Sequence, residues 1–286
     1  MSNEKPSMRP EDAIKQADMA FRTGDWATAR KLCQITLSNS PNHFFALSML
    51  GIIAAQSGDA AEAEIFFGRA VQANPQNALA HTNFGNALLQ SGKAEDALRS
   101  QDRSIAINPA YAEAHNGRGQ ALQKLGQIDA AIESFNSAIK IKVDYAEAYN
   151  NLGGALLIKT WPEPALKNFD RAISLNPDYA EAHCNRGNAL CDLGLFTEAI
   201  SSYGRALAIH PEFADAYNNR GLAFHRICRF ENAIADYRQA FSIDSRHAEA
   251  LNNLGNALME TGQTQDAIVN YNKAIEIREN YAEAHN

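Results

Sequence analysis

The side chains best placed for chemistry in this sequence are asparagines. Asn83, Asn151, Asn185, Asn219 and Asn253 share one recurring position, and Asn116, Asn150, Asn218 and Asn252 take the position before it. Asn86, Asn188 and Asn256 lie three residues further on, so that Asn83/Asn86, Asn185/Asn188 and Asn253/Asn256 are i, i+3 neighbours on one helical face. A side-chain amide both donates and accepts, and a ladder of amides can pair with the backbone of an extended peptide without reading its side chains. Each such bond contributes only about 0.5–1.5 kcal/mol net, which implies many weak contacts in series and broad specificity. The competing reading is a solvated residue that recurs only because the surrounding sequence repeats.

Other chemistry finds less support. His81, His115 and His183 share one repeat position, which separates them by a whole repeat, whereas zinc needs ligands converging at about 2 Å from one point. They read as packing residues. Cys184 and Cys191 sit seven residues apart on one helix, about 10 Å along its axis and beyond disulfide reach. Cys33 and Cys228 belong to distant segments, and no zinc or redox spacing appears. Arg118, Arg186 and Arg220 recur at a position expected to run the stem along a helix pair with the head in water, a phosphate-binding stripe being the alternative. Glu113, Glu147, Glu181, Asp215 and Glu249 open successive helices, where an acid complements the dipole by about 0.3–1 kcal/mol. Trp161 stands in Lys159-Thr160-Trp161-Pro162-Glu163-Pro164, at the start of a helix, as a cap or a contact point. No phosphate-binding glycine loop, His-Glu-x-x-His or serine elbow is present, so the chain reads as non-catalytic, without metal or cofactor. A net charge of −7 argues against a general nucleic-acid binder, and no apolar run approaches a membrane span. The N-terminal residues lack the apolar core of a signal peptide, and the default compartment is the cytoplasm.

The elements that must position the asparagines follow from a period. Gly51, Gly85, Gly119, Gly153, Gly187, Gly221 and Gly255 recur every 34 residues, with Ala17 in the same register. Ala29, Ala63, Ala97, Ala131, Ala165, Ala199, Ala233 and Ala267 follow those positions by twelve residues. A fixed period of that length signals a stacked array of small units. The frames run 10–43, 44–77, 78–111, 112–145, 146–179, 180–213, 214–247 and 248–281, after a polar segment 1–9. Within a unit, Ala148, Tyr149, Leu152, Gly153 and Leu156 form one apolar stripe, and Ala165, Leu166, Phe169, Ala172, Ile173 and Leu175 a second. Glycines such as Gly58 and Gly92 end the first helix, and prolines such as Pro75 and Pro109 stop the second. Gly153 and Ala165 are expected where the paired helices cross closely, with Phe67, Phe135, Phe169, Tyr203, Tyr237 and Tyr271 filling the space beside them.

The spacing of Tyr149, Leu152, Gly153, Leu156, Ala165, Phe169, Ala172 and Pro177 resembles the tetratricopeptide repeat over residues 10–281. The resemblance implies an all-α, right-handed superhelical solenoid of eight 34-residue helix-turn-helix repeats, whose first helices line a groove that holds a peptide or partner protein. Departures are local: Gln101 replaces an aromatic, Thr160 and Cys228 replace the turn glycine, and Val143, Ser245 and Glu279 replace the proline. The first unit has Cys33 and Thr36 where an aromatic and an alanine are usual. The basic pattern of repeats that clamp a C-terminal carboxylate is absent, with Ile14 and Ser48 near the expected places. A further resemblance is to the N-terminal superhelix of O-linked N-acetylglucosamine transferases, which implies a substrate-recognition arm whose catalytic domain lies beyond this chain. Residues 282–286 read as the start of an incomplete ninth repeat, leaving Ile275 and Ile277 on an uncapped apolar edge through which the chain could self-associate.

Overall fold

A computed structural model describes residues 9–278. The expected ninth-repeat start, 282–286, and most of the N-terminal segment lie outside the described residues. Those described contain sixteen α-helices and no strand. The chain divides between Val143 and Asp144 into two compact units. The first holds α1 (Pro10–Arg22), α2 (Trp26–Asn39), α3 (Phe44–Gln56), α4 (Ala60–Ala73), α5 (Ala78–Gln90), α6 (Ala94–Ile107), α7 (Ala112–Lys124) and α8 (Ile128–Ile141). The second holds α9 (Ala146–Ile158), α10 (Pro162–Leu175), α11 (Ala180–Asp192), α12 (Phe196–Ile209), α13 (Ala214–Arg226), α14 (Phe230–Ile243), α15 (Ala248–Glu260) and α16 (Thr264–Ile277). Each first helix packs against the second helix of its own hairpin and, within a unit, that second helix packs against the next first helix. No described helix is long and apolar enough to cross a membrane.

Local chemistry punctuates the hairpins. Gly58 ends α3 with φ +77° and Gly92 ends α5 with φ +75°, the left-handed conformation that a residue without Cβ adopts freely. Thr160 and Cys228 replace that glycine yet keep φ 59°, so the turn geometry dominates the residue preference at both places. At helix starts, Asp59 Oδ1 accepts from the Glu62 amide at 2.9 Å, and Asn77 Oδ1 accepts from the Ala80 amide at 2.9 Å.

The hairpins close on a ring against a glycine. A Cβ added to Gly153 would lie 2.6 Å from Phe169, and one added to Gly187 would lie 2.5 Å from Tyr203. Gly51 meets Phe67, Gly119 meets Phe135, Gly221 meets Tyr237 and Gly255 meets Tyr271 in the same way, always across sixteen residues. In the first repeat both partners change together: Ala17 carries a Cβ and Cys33 is small, and both are fully buried. The third repeat substitutes polar for aromatic. Gln101 is fully buried against Gly85 and reaches Gly117 of the next repeat. Its Nε2 donates to Thr82 O at 3.2 Å and to Asn86 Oδ1 at 2.9 Å. Around it, Ser104 Oγ donates to Ala78 O and Ser100 Oγ to His81 O, so this hairpin has a hydrogen-bonded core.

Two adjacent glycines should therefore respond in opposite directions. Gly153→Ala should destabilise the chain by about 1–3 kcal/mol, because its Cβ enters the Phe169 ring. Gly154→Ala, where an added Cβ meets nothing within 4 Å, should stabilise by about 0.5–1 kcal/mol through helix propensity. Urea unfolding followed by circular dichroism reads both; equal signs would remove the ring-on-glycine account.

Candidate functional site

Within each unit the first helices of successive repeats touch one another, α5 with α7, and α9, α11, α13 and α15 in turn. They form an inner face. On α5 that face carries Leu79, Asn83, Asn86 and Gln90, spaced i, i+4, i+7 and i+11. On α15 the equivalent stripe is Glu249, Asn253, Asn256 and Glu260.

The structure separates the twelve candidate asparagines into two sets. Asn116, Asn150, Asn218 and Asn252 are buried at 2%, 5%, 2% and 5% exposure and are not surface groups. This corrects the expectation of a ladder twelve residues strong. The position before the ladder is turned away from solvent, and at Asn150 and Asn218 its amides bond from one repeat to the next. Asn150 Oδ1 accepts from Asn185 Nδ2 and Asn218 Oδ1 accepts from Asn253 Nδ2, both at 3.0 Å across 35 residues. Asn218 Nδ2 in turn donates to Glu249 Oε1 at 3.2 Å and Asn219 Oδ1 at 3.3 Å. Where Cys184 stands in place of the buried asparagine, Asn219 Nδ2 turns to Asn188 Oδ1 at 3.1 Å, which also accepts from the Tyr203 hydroxyl at 2.7 Å.

The remaining amides line the inner face. Asn83, Asn151, Asn185, Asn188, Asn219 and Asn253 are half-buried, whereas Asn86 and Asn256 are exposed. Asn256 Oδ1 accepts from the Tyr271 hydroxyl at 2.8 Å. A cavity of about 310 Å³ opens between α3 and α5 beside Ile52, Gln56, Phe67, Asn83 and Asn86. A cavity of about 240 Å³ opens between α13 and α15 beside Leu222, Arg226, Tyr237, Asn253 and Asn256. Those two sets of residues match one to one at a separation of 170 residues, five whole repeats. The inner face thus repeats one cavity in each unit.

Polar groups flagged in the sequence prove to be internal. Arg118 Nε donates to Asp102 Oδ1 and its Nη1 to Ser134 Oγ, each at 2.7 Å. Arg186 repeats this with Asp170 and Ser202 at the same distances. Arg220 makes two bonds of 2.7 Å to Asp236, because Gly204 supplies no carboxylate from the preceding second helix and Asp236 takes the serine position. The guanidinium heads are therefore paired in the seams and do not stand free in water, which corrects the expectation for this series. His81, His115 and His183 place Nε2 at 3.1, 3.0 and 3.0 Å from the carbonyls of Pro75, Pro109 and Pro177, tying a first helix to the turn before it. Burial pushes the Cys33 thiol up to about 11 and the Cys184 thiol up to about 12, the wrong direction for a nucleophile. Among the described residues no group of His, Cys, Asp or Glu could hold a metal ion.

Two inner-face residues escaped the sequence reading. Phe45 and Leu79 stand 68% and 52% exposed at the place where six other repeats carry Glu or Asp. The break in that acidic series was the available signal.

Comparison with known proteins agrees with the hairpin array. Family models described as TPR repeat match residues 85–126, 124–157, 163–194, 187–227 and 229–262. Models described as tetratricopeptide repeat match 14–78 and 248–281. No curated protein sequence matches the chain. Among solved structures, a chain of the APC/C hetero-tetramer Cut9-Hcn1 aligns at 16% identity with a TM-score of 0.75, over 99% of this chain and 56% of its own length. YrrB, described as a TPR protein with an unusual peptide-binding site, aligns at 27% identity and a TM-score of 0.50, over 65% of this chain and 95% of its own. MamA aligns at 26% identity and a TM-score of 0.52, over 58% of this chain and 96% of its own.

Stability measurements should distinguish the two asparagine sets. Asn218→Ala strands the Asn253 amide it accepts from and should lower stability by about 1–3 kcal/mol, whereas Asn83→Ala should change it by no more than about 0.5 kcal/mol. Equal shifts in the urea midpoint would show that burial does not separate the two positions.

Proposed function

The chain belongs to the tetratricopeptide repeat family, and from that premise we propose that it is a non-catalytic scaffold that holds an extended segment of a partner protein along the inner face of its first helices. The family is one of protein–protein interaction modules. The observation that carries the finer reading is the recurrence of one amide-edged cavity in both units. An extended chain presents side chains and backbone amides together, and each cavity sets an apolar wall beside asparagine amides that could take one of each. The peptide-binding description attached to YrrB lends the same reading support from a relative.

The pairing of the amides shapes how such a segment is held. Asn185, Asn219 and Asn253 already donate across repeats, so they offer an incoming backbone their acceptors and remaining donor more than a free amide. Pre-positioned groups lose little freedom on binding, which lowers the ordering cost of a many-contact interface. The transferase-arm alternative draws on the same face, and no separate observation favours it.

The test is selection of dodecapeptides from a random library on the whole chain, followed by resynthesis and fluorescence anisotropy. Recovered peptides should bind with Kd on the order of micromolar. Gln90→Arg combined with Asn256→Arg, both on the inner face, should weaken them about tenfold or more. Ser201→Arg combined with Gln239→Arg, exposed on second helices, should leave binding unchanged. Peptides indifferent to the inner-face pair would sink the groove assignment.

A further inference from the structure

We propose that the cavity between α3 and α5 is a selectivity pocket for one bulky apolar side chain of the captured segment, with Asn83 holding the segment's backbone beside it. This rests on the reading of the inner face as a peptide groove and adds what that groove selects. Four observations converge on it. First, α3, Phe44–Gln56, is apolar on all faces, a pattern expected of a helix covered on every side, yet Phe45 is 68% exposed. Second, the exposed apolar surface continues onto the next repeat at Leu79, 52% exposed. The other repeats carry Glu11, Glu113, Glu147, Glu181, Asp215 and Glu249 at that position, so the acidic series is interrupted only on the two first helices, α3 and α5, that border this cavity.

Third, the cavity is lined by Ile52, Ala55, Phe67 and Ala87 together with the amides of Gln56, Asn83, Asn86 and Gln90. No charged side chain lines it. Its counterpart between α13 and α15 has His225 and Arg226 where this one has Ala55 and Gln56. A charged side chain entering the first-unit cavity would lose water against Ile52 and Phe67 and meet only neutral amides in return, whereas an apolar one gains by leaving water. Fourth, Asn83 has unused hydrogen-bonding capacity. The residue 35 positions earlier is Ser48, whereas Asn185 and Asn253 find Asn150 and Asn218 at that separation. Among the described residues no partner for the Asn83 amide is found. A free amide beside an apolar recess is the arrangement that fixes a peptide backbone while its side chain fills the recess.

The occupant is therefore an extended partner segment carrying an exposed Leu, Ile, Met or Phe. The deciding experiment repeats the dodecapeptide selection on the intact chain and on the double variant Ala55→His, Gln56→Arg, which changes two residues of the cavity wall. Both substitutions install what the counterpart cavity carries at the same places, His225 and Arg226, so the fold should survive, as circular dichroism will check. Peptides from the intact chain should share a large apolar residue at one fixed position, and those from the variant should lack that preference. A resynthesised peptide should bind the variant roughly tenfold more weakly, and replacing its apolar residue by Ala should cost the same on the intact chain and little on the variant. Peptides that bind the inner face with no apolar preference would overturn the pocket and leave the groove standing. Failure to recover any peptide would overturn both. Concentration-dependent dimerisation of the intact chain, abolished by Phe45→Glu combined with Leu79→Glu, would assign the apolar patch to a second copy and overturn the proposal.

Discussion

The array depends on a close approach between an aromatic ring and a backbone that carries no side chain. Where Phe169 lies on Gly153 or Tyr203 on Gly187, the two helices of a hairpin stand at the separation set by the thickness of one ring. Every later feature inherits that spacing. It fixes the tilt of each first helix over its partner, and so which residues of that helix turn inward, which enter the seam and which meet solvent. The two departures obey the same constraint by compensation: Ala17 is accepted because Cys33 is small, and Gln101 extends past Gly85 because the next repeat places Gly117 where five other repeats carry an asparagine. A side chain gained on one helix is met by a smaller one across the contact.

Shape alone does not choose the register between one repeat and the next, since alanine-rich surfaces slide over one another with small changes in energy. Directional bonds supply the choice. The buried amides of Asn150 and Asn218 and the Arg186–Asp170–Ser202 and Arg220–Asp236 bridges join residues of different helices at one permitted offset. The buried members, Asn150, Asn218 and Asp236, are costly when a partner is missing. They therefore act less as a source of stability than as a penalty on every misaligned stacking. The movement of the carboxylate from Asp170 in one repeat to Asp236 in another, with Gly204 vacating the first place, shows that the bridge is kept while the helix supplying its acceptor changes.

How much of this could be read from the chain follows from where each property resides. Helix, turn and ring–glycine pairing were legible because they belong to the period, and a period is visible without coordinates. The asparagines were legible as a series but not as two series. Asn218 and Asn219 are neighbours in sequence and about 100° apart around a helix, so one is buried and the other lines a face, and only the rotation of α13 against its neighbours decides which. The arginines were misread for a related reason: their partners lie sixteen residues away, and Asp102 and Ser134 have no feature in the sequence that marks them as a pair of acceptors. Phe45 and Leu79 could have been found, since they break a series of acids, but attention to a recurring residue overlooks the places where it fails to recur.

Separation of the packing positions from the inner-face positions explains how one backbone can present different chemistry along its length. Gly85 and Gln101 face each other inside a hairpin, whereas Leu79, Asn83, Asn86 and Gln90 lie on another side of the same helix. Substitutions on that side need not disturb the ring contact. Ile52 and Leu222 occupy equivalent places in the two cavities, as do Phe67 and Tyr237, so the apolar lining is retained; Ala55 and Gln56 become His225 and Arg226, so the charge changes. Because each repeat touches only its neighbours, such a change stays local in stability while altering what one stretch of the face can accept. A repeat array is thereby free to vary its recognition chemistry one cavity at a time, provided the glycine under each ring is left alone.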